Sequence, residues 1–100
     1  YFMGLTCDGT WGFNRYTSSN GTETILEYTE SDVINPTDQP NRIGVLANGS
    51  HFEFYINGVK VGEADDSTYL DAGTYGFVTM SAGTVNFKTS VDSLKYWLLP

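Results

Sequence analysis

The sequence predicts an all-β fold, an antiparallel β-sandwich, and three observations carry that expectation. The stretch Ser50–Ile56 alternates, with Phe52, Phe54 and Ile56 on one face and His51, Glu53 and Tyr55 on the other. Asn57-Gly58 then separates it from Val59-Lys60-Val61, and both turn residues tolerate the positive φ of a type I′ hairpin. Asn-Gly also occurs at 20–21 and 48–49, punctuating short runs with no helical period. One apolar face and one wet face mark an antiparallel sheet rather than a parallel one.

Taken in order, Tyr1–Cys7 reads as the first strand, ended by Asp8-Gly9, and Trp11–Thr17 returns beside it. A turn at Ser18-Ser19-Asn20-Gly21 leads to a third strand over Thr22–Tyr28. The polar stretch Thr29–Gln39 is a long loop, interrupted by Asn35-Pro36 and closed by Pro40. Asn41–Ala47 is the fourth strand, with Ile43, Val45 and Ala47 sharing a face, and Asn48-Gly49 turns it into Ser50–Ile56. Val59–Ala64 follows the hairpin, then the acidic loop Asp65–Asp71. Gly73–Met80, Thr84–Thr89 and Val91–Leu99 read as the closing strands, with a turn at Ser81-Ala82-Gly83. Short strands at roughly ten-residue spacing indicate a sandwich or barrel. The expected core is Val45, Phe52, Phe54, Ile56, Phe77, Val85 and Phe87, joined by Trp11 and Phe13.

Composition bounds the function. One hundred residues make a single domain, 1–100, and 40% hydrophobic with 15% aromatic content is enough for a packed core. No run of about 18 apolar residues is present, so no membrane insertion is expected. Twelve acids against five bases give a net charge of −7. The cations Arg15, Arg42, Lys60, Lys88 and Lys95 are scattered, which offers no basic patch for nucleic acid and would repel an anionic membrane surface. The chain opens on Tyr1 without an initiator Met and reads as a piece of something longer.

Cys7 is the single cysteine, so neither an internal disulfide nor a cysteine zinc set can form. Alternation puts it on the face of Met3 and Leu5, where a buried, inert thiol is expected. His51 is the single histidine and lies on another strand, which argues against a Cys–His nucleophile pair.

The stretch from Asn41 through Val61, with its hydrophobic alternation, aromatic strand ending in Asn57-Gly58 and apolar return, resembles the centre of a laminin-G/concanavalin A-like jelly roll. Gly73-Thr74-Tyr75-Gly76-Phe77, Val85-Asn86-Phe87 and Val91-Asp92-Ser93-Leu94 are similar to the last strands of that family. Asp8-Gly9-Thr10-Trp11-Gly12-Phe13-Asn14-Arg15 is similar to its bacterial extracellular versions. Such domains run well beyond 100 residues, so the resemblance implies an incomplete jelly roll, the C-terminal part of one. It also implies an extracellular or cell-surface location within a larger protein. Retaining glucanases of the group carry a Glu-x-Asp-x-x-Glu strand whose carboxylates stand ~5 Å apart. Glu23-Thr24-Ile25-Leu26-Glu27-Tyr28-Thr29-Glu30 lacks the central Asp and that spacing, and Glu53 supplies one carboxylate only. A weaker resemblance to keto-disaccharide hydrolase domains carries over no catalytic residue.

Beside these absences stand candidates for binding. With Trp11, Phe13, Phe52, Phe54 and Ile56 turned inward, Asn14, Tyr16, His51, Glu53 and Tyr55 look outward from neighbouring strands. Rings beside hydrogen-bonding groups suit a glycan or a protein ligand, although Tyr also fits any outward strand position. Asp65, Asp66 and Asp71 offer hard oxygen ligands for calcium, a cation familiar at the rim of this fold, or form an ordinary solvated loop. Asn20-Gly21-Thr22 and Asn48-Gly49-Ser50 match the glycosylation sequon, but turn chemistry explains both without sugar. The expected function is a non-catalytic extracellular binding module. The alternatives are a fragment of a glycan-processing hydrolase and a purely structural interaction domain. An uncharged edge at Tyr1–Cys7 invites a homodimer.

Overall fold

The computed structural model describes residues 1–36, 39–71, 76, 90–91 and 93–95, and the chain divides into two compact units, Tyr1–Leu70 and Asp71–Pro100. The first unit holds six strands: β1 (Phe2–Leu5), β2 (Thr10–Thr17), β3 (Gly21–Glu30), β4 (Ile43–Asn48), β5 (His51–Ile56) and β6 (Val59–Asp65). They form two antiparallel three-stranded sheets in the orders β1-β2-β3 and β4-β5-β6. The all-β expectation holds, with no helix among the described residues. The expected strands Gly73–Met80, Thr84–Thr89 and Val91–Leu99 lie wholly or largely outside the described residues, as do Phe77, Val85 and Phe87.

Turn chemistry sets each register. Ile56 pairs with Val59, so Asn57 and Gly58 are the whole β5–β6 loop, and their φ of 51° and 84° are those of a type I′ turn. Asn48 pairs with His51, which leaves Gly49-Ser50 as the β4–β5 loop and Asn48 as the last residue of β4. Gly49 at φ 61° leads a loop whose second residue is not left-handed, as in a type II′ turn. At the head of β2 the Gly9 amide donates to the Thr6 carbonyl, and the Thr6 and Thr10 hydroxyls meet at 2.6 Å. That turn starts at Thr6, so β1 stops at Leu5 and Cys7 sits exposed in the turn, not buried beside Met3 and Leu5.

The sheets meet through aromatic rings. Trp11, Phe13, Phe52, Phe54 and Ile56 are buried, with Phe13 4.5 Å from Phe54 and 5.0 Å from Phe52 between ring centroids. Fully burying one such side chain contributes about 1.5–3 kcal/mol. Met3, Leu5, Ile25, Leu26, Val33, Ile34, Val61 and Ala64 close around them. Val45 departs from expectation. It shares the inner face with its register partner Phe54, but it is 49% exposed, as its neighbours Ile43 and Ala47 are exposed, because among the described strands β4 pairs with β5 alone.

The loop between β3 and β4 is held by amides. Asn57 Nδ2 donates to the Val33 carbonyl at 2.7 Å and to Asn41 Oδ1 at 2.8 Å, while its Oδ1 accepts the Arg42 amide at 2.8 Å. Asn41 Oδ1 in turn accepts the Asn35 amide at 2.7 Å. One residue therefore makes the hairpin turn and anchors the long loop against it.

Candidate functional site

Because Phe52, Phe54 and Ile56 point into the core, the intervening His51, Glu53 and Tyr55 stand on the outer face of the second sheet. Register places Asp65, Glu63 and Lys60 of β6 beside them in turn, and Asn48, Leu46 and Gly44 of β4 on the other side. Lys60 Nζ bridges the two glutamates, 3.1 Å from Glu53 Oε1 and 2.8 Å from Glu63 Oε2. The Tyr55 hydroxyl donates to Glu53 Oε1 at 3.0 Å. His51 Nδ1 lies 2.9 Å from Asp65 Oδ1, and its Nε2 lies 3.6 Å from Glu53 and 3.7 Å from Glu63. Gly44 brings no side chain beside Tyr55, so the tyrosine is flanked on that side by backbone.

Charges on this face bias one another. The hydrogen bond to Asp65 raises the His51 pKa against the opposing effect of burial, with the charges of Asp65, Glu63 and Glu53 adding to the rise. Lys60 and the Tyr55 hydroxyl hold the Glu53 carboxyl below its usual range, and Glu53 raises the Tyr55 phenol. Glu63 and Glu53 both push Lys60 up.

A second cluster closes one end of the two sheets. Arg15 pairs with Glu23 at 3.2 Å and with Asp66, which also accepts from the Tyr1 hydroxyl and from the Thr68 amide at 2.9 Å. Tyr69 donates its amide to the Tyr1 hydroxyl and its own hydroxyl to the Tyr16 carbonyl. Burial works to raise the Asp66 carboxyl, but the bonds from Tyr1 and Thr68 and the Arg15 charge outweigh it and hold the carboxyl at about 2. Beside it, Ser50, Asp65, Asp66, Ser67 and Thr68 line a shallow, open depression of about 300 Å³.

The five outward candidates do not form one surface. His51, Glu53 and Tyr55 are together, but Tyr16, 60% exposed, lies on the outer face of the first sheet, across the core from them. Asn14 is buried, at 4% exposure, on the central strand β2 between its register partners Phe2 and Thr24. The aspartates are likewise divided: Asp65 serves His51, Asp66 serves Arg15, and Asp71 opens the second unit. Among the described residues no group of three His, Cys, Asp or Glu side chains is arranged to hold a metal. Lys60, Glu63 and Asn48 are the residues that sequence reasoning missed. Counting pairs back from the Asn57-Gly58 turn would have found Lys60, whereas a bulge between Phe54 and Tyr55 shifts the rest by one.

Comparison with known proteins adds little to this geometry. No family model matches the chain, and no solved structure matches it. It is similar to Vignain of Ricinus communis, 31% identical over 93 residues, covering 92% of this chain and 23% of that protein. It is also similar to Vignain of Phaseolus vulgaris, 30% identical over 95 residues, 94% of this chain and 24% of that protein. The chain thus spans about a quarter of the length of the curated relatives it matches.

Proposed function

We propose that this chain is a non-catalytic binding module whose site is the outer face of β5 and β6, and that its ligand is a carbohydrate. The observation that carries the reading is the row His51, Glu53, Tyr55, joined by Lys60 into one hydrogen-bonded set on an open strand face. A tyrosine ring supplies an apolar platform, while Glu53 accepts from sugar hydroxyls and Lys60 donates to them. The module belongs outside the cell within a larger protein, with the connections of a concanavalin A-like jelly roll and a second copy paired along the β1 edge.

The paired carboxylates Glu53 and Glu63 support binding over hydrolysis. A retaining glycosidase needs one carboxyl raised so that it can deliver a proton. Lys60 sits between these two, and Glu53 is held down rather than up. Nor is His51 open as a base for Cys7, since carboxylates engage both of its ring nitrogens.

A glycan array followed by calorimetry tests the reading. Tyr55→Ala should weaken binding to the best glycan about tenfold through the lost stacking surface, and Tyr16→Ala on the opposite sheet should leave it unchanged. Retention of no glycan would overturn the ligand class. Glycan turnover lost in Glu53→Gln would overturn the non-catalytic reading.

A further inference from the structure

Two of the three Asn-Gly pairs lie at the hairpins of the second sheet, and the fold treats those two differently. Asn57 has its side-chain amide engaged at both ends, donating to Val33 and Asn41 and accepting from Arg42. Asn48 ends β4 with an exposed side chain that makes no hydrogen bond with another described residue. Asn48 and His51 close the two-residue hairpin loop, so the Gly49 amide lies inside the loop, outside the strand ladder. Gly49 and Gly58 alike carry no Cβ to obstruct an approach to the preceding side chain, and a Cβ built at either would meet nothing within 4 Å, so the two sites differ in the hydrogen bonding of the asparagine.

From this contrast we infer that Asn48 is a site of spontaneous deamidation that edits the outer face of the second sheet, while Asn57 is protected. The Gly49 nitrogen attacks Asn48 Cγ, the new N–Cγ bond closes a succinimide, and the Cγ–Nδ2 bond breaks. Nδ2 leaves as ammonia, taking up the proton that Gly49 loses. Water then opens either carbonyl of the ring, giving aspartate or isoaspartate at position 48. Because Asn48 is the register partner of His51, the new carboxylate arrives beside an imidazole already attended by Asp65, Glu53 and Glu63. The face gains one negative charge, and the isoaspartate product also lengthens the backbone at the hairpin.

The same reaction at Asn57 requires its three hydrogen bonds to open first, which slows it by at least about tenfold. The test is peptide mapping of the full chain, made in a bacterial host and held in mildly alkaline buffer. Asn48 should convert at least about tenfold faster than Asn57 while the protein is folded, and the two rates should converge in urea. Asn48→Asp should raise the His51 apparent pKa in an NMR titration, whereas Asn48→Gln should leave it in place. Equal folded-state rates at Asn48 and Asn57, or faster conversion at Asn57, would overturn the inference. So would a His51 titration indifferent to Asn48→Asp.

Discussion

The indole edge of Trp11 occupies the space above Gly62, close enough that a Cβ built on Gly62 would lie 2.8 Å from the ring. Gly62 is the register partner of Phe54, and Trp11 packs on Phe54 at 5.5 Å between centroids. A strand interior is a costly place for glycine, and here the missing side chain is what lets the two sheets close over their largest residue.

Gly62→Ala should therefore lose about 1–3 kcal/mol, because a buried indole cannot yield without disturbing Phe54. Gly44→Ala is the matched control. Its built Cβ meets Tyr55 Cβ at 3.5 Å, an ordinary contact, on the open face of the same sheet. Urea denaturation of the pair should separate them clearly, and equal stabilities would show that the indole moves freely.

Asn57 offers a second test, since its turn role and its anchoring role come apart by substitution. Asn57→Gly keeps the left-handed backbone and removes the three side-chain bonds to Val33, Asn41 and Arg42. It should cost about 1–3 kcal/mol through unpaired polar groups. Faster hydrogen exchange at Asn35 and Arg42 should accompany the loss, as the loop between β3 and β4 is released. A stability equal to the parent would mean that the amide set is incidental.

Two titrations bracket the pH range of greatest stability. The folded pKa of His51 is raised above 6.5, so its contribution is full below 6.5 and fades as pH climbs through the raised value. Asp66 is depressed from 3.8 to about 2, so its contribution is full above 3.8 and fades as pH falls toward 2. Melting temperature against pH should be highest between those limits. His51→Gln should flatten the alkaline slope alone, and Asp66→Asn the acid slope alone.

How much of this was legible depended on how far each fact lay from its own strand. The β5 alternation and the Asn57-Gly58 turn are local, and they gave Phe52, Phe54 and Ile56 as core and the register as far as the Tyr55–Lys60 pair, before the bulge. Tyr16 and His51 were grouped wrongly because outwardness is a property of one strand, while sharing a surface depends on which sheet each strand joins. Asn14 alternates as an outward residue but is buried beside its register partners Phe2 and Thr24, which lie on other strands. The Arg15–Asp66 pair spans 51 positions and leaves no periodic trace. For Cys7 the missed signal was Thr6, whose carbonyl and hydroxyl begin the turn before the alternation ends.

Among the described strands β1 pairs only with β2, and Phe2-Met3-Gly4-Leu5 carries no charge to discourage another strand. Tyr1 holds the start of β1 in place through its stacking on Phe13 and Phe52 and its bond to Asp66, so the edge is presented in a fixed register. At four residues it is short, which limits the pairing it can offer. The rival edge among the described strands, β4, has six uncharged residues and the exposed inner row Ile43, Val45 and Ala47. A two-fold pairing along β1 should give a species of twice the 11.0 kDa chain mass by light scattering after size exclusion. Phe2→Lys sets like charges against each other across that axis and should return it to monomer, while Val45→Lys should not. Dissociation by Val45→Lys alone would move the interface to β4, and a monodisperse 11.0 kDa species at high concentration would end the dimer altogether.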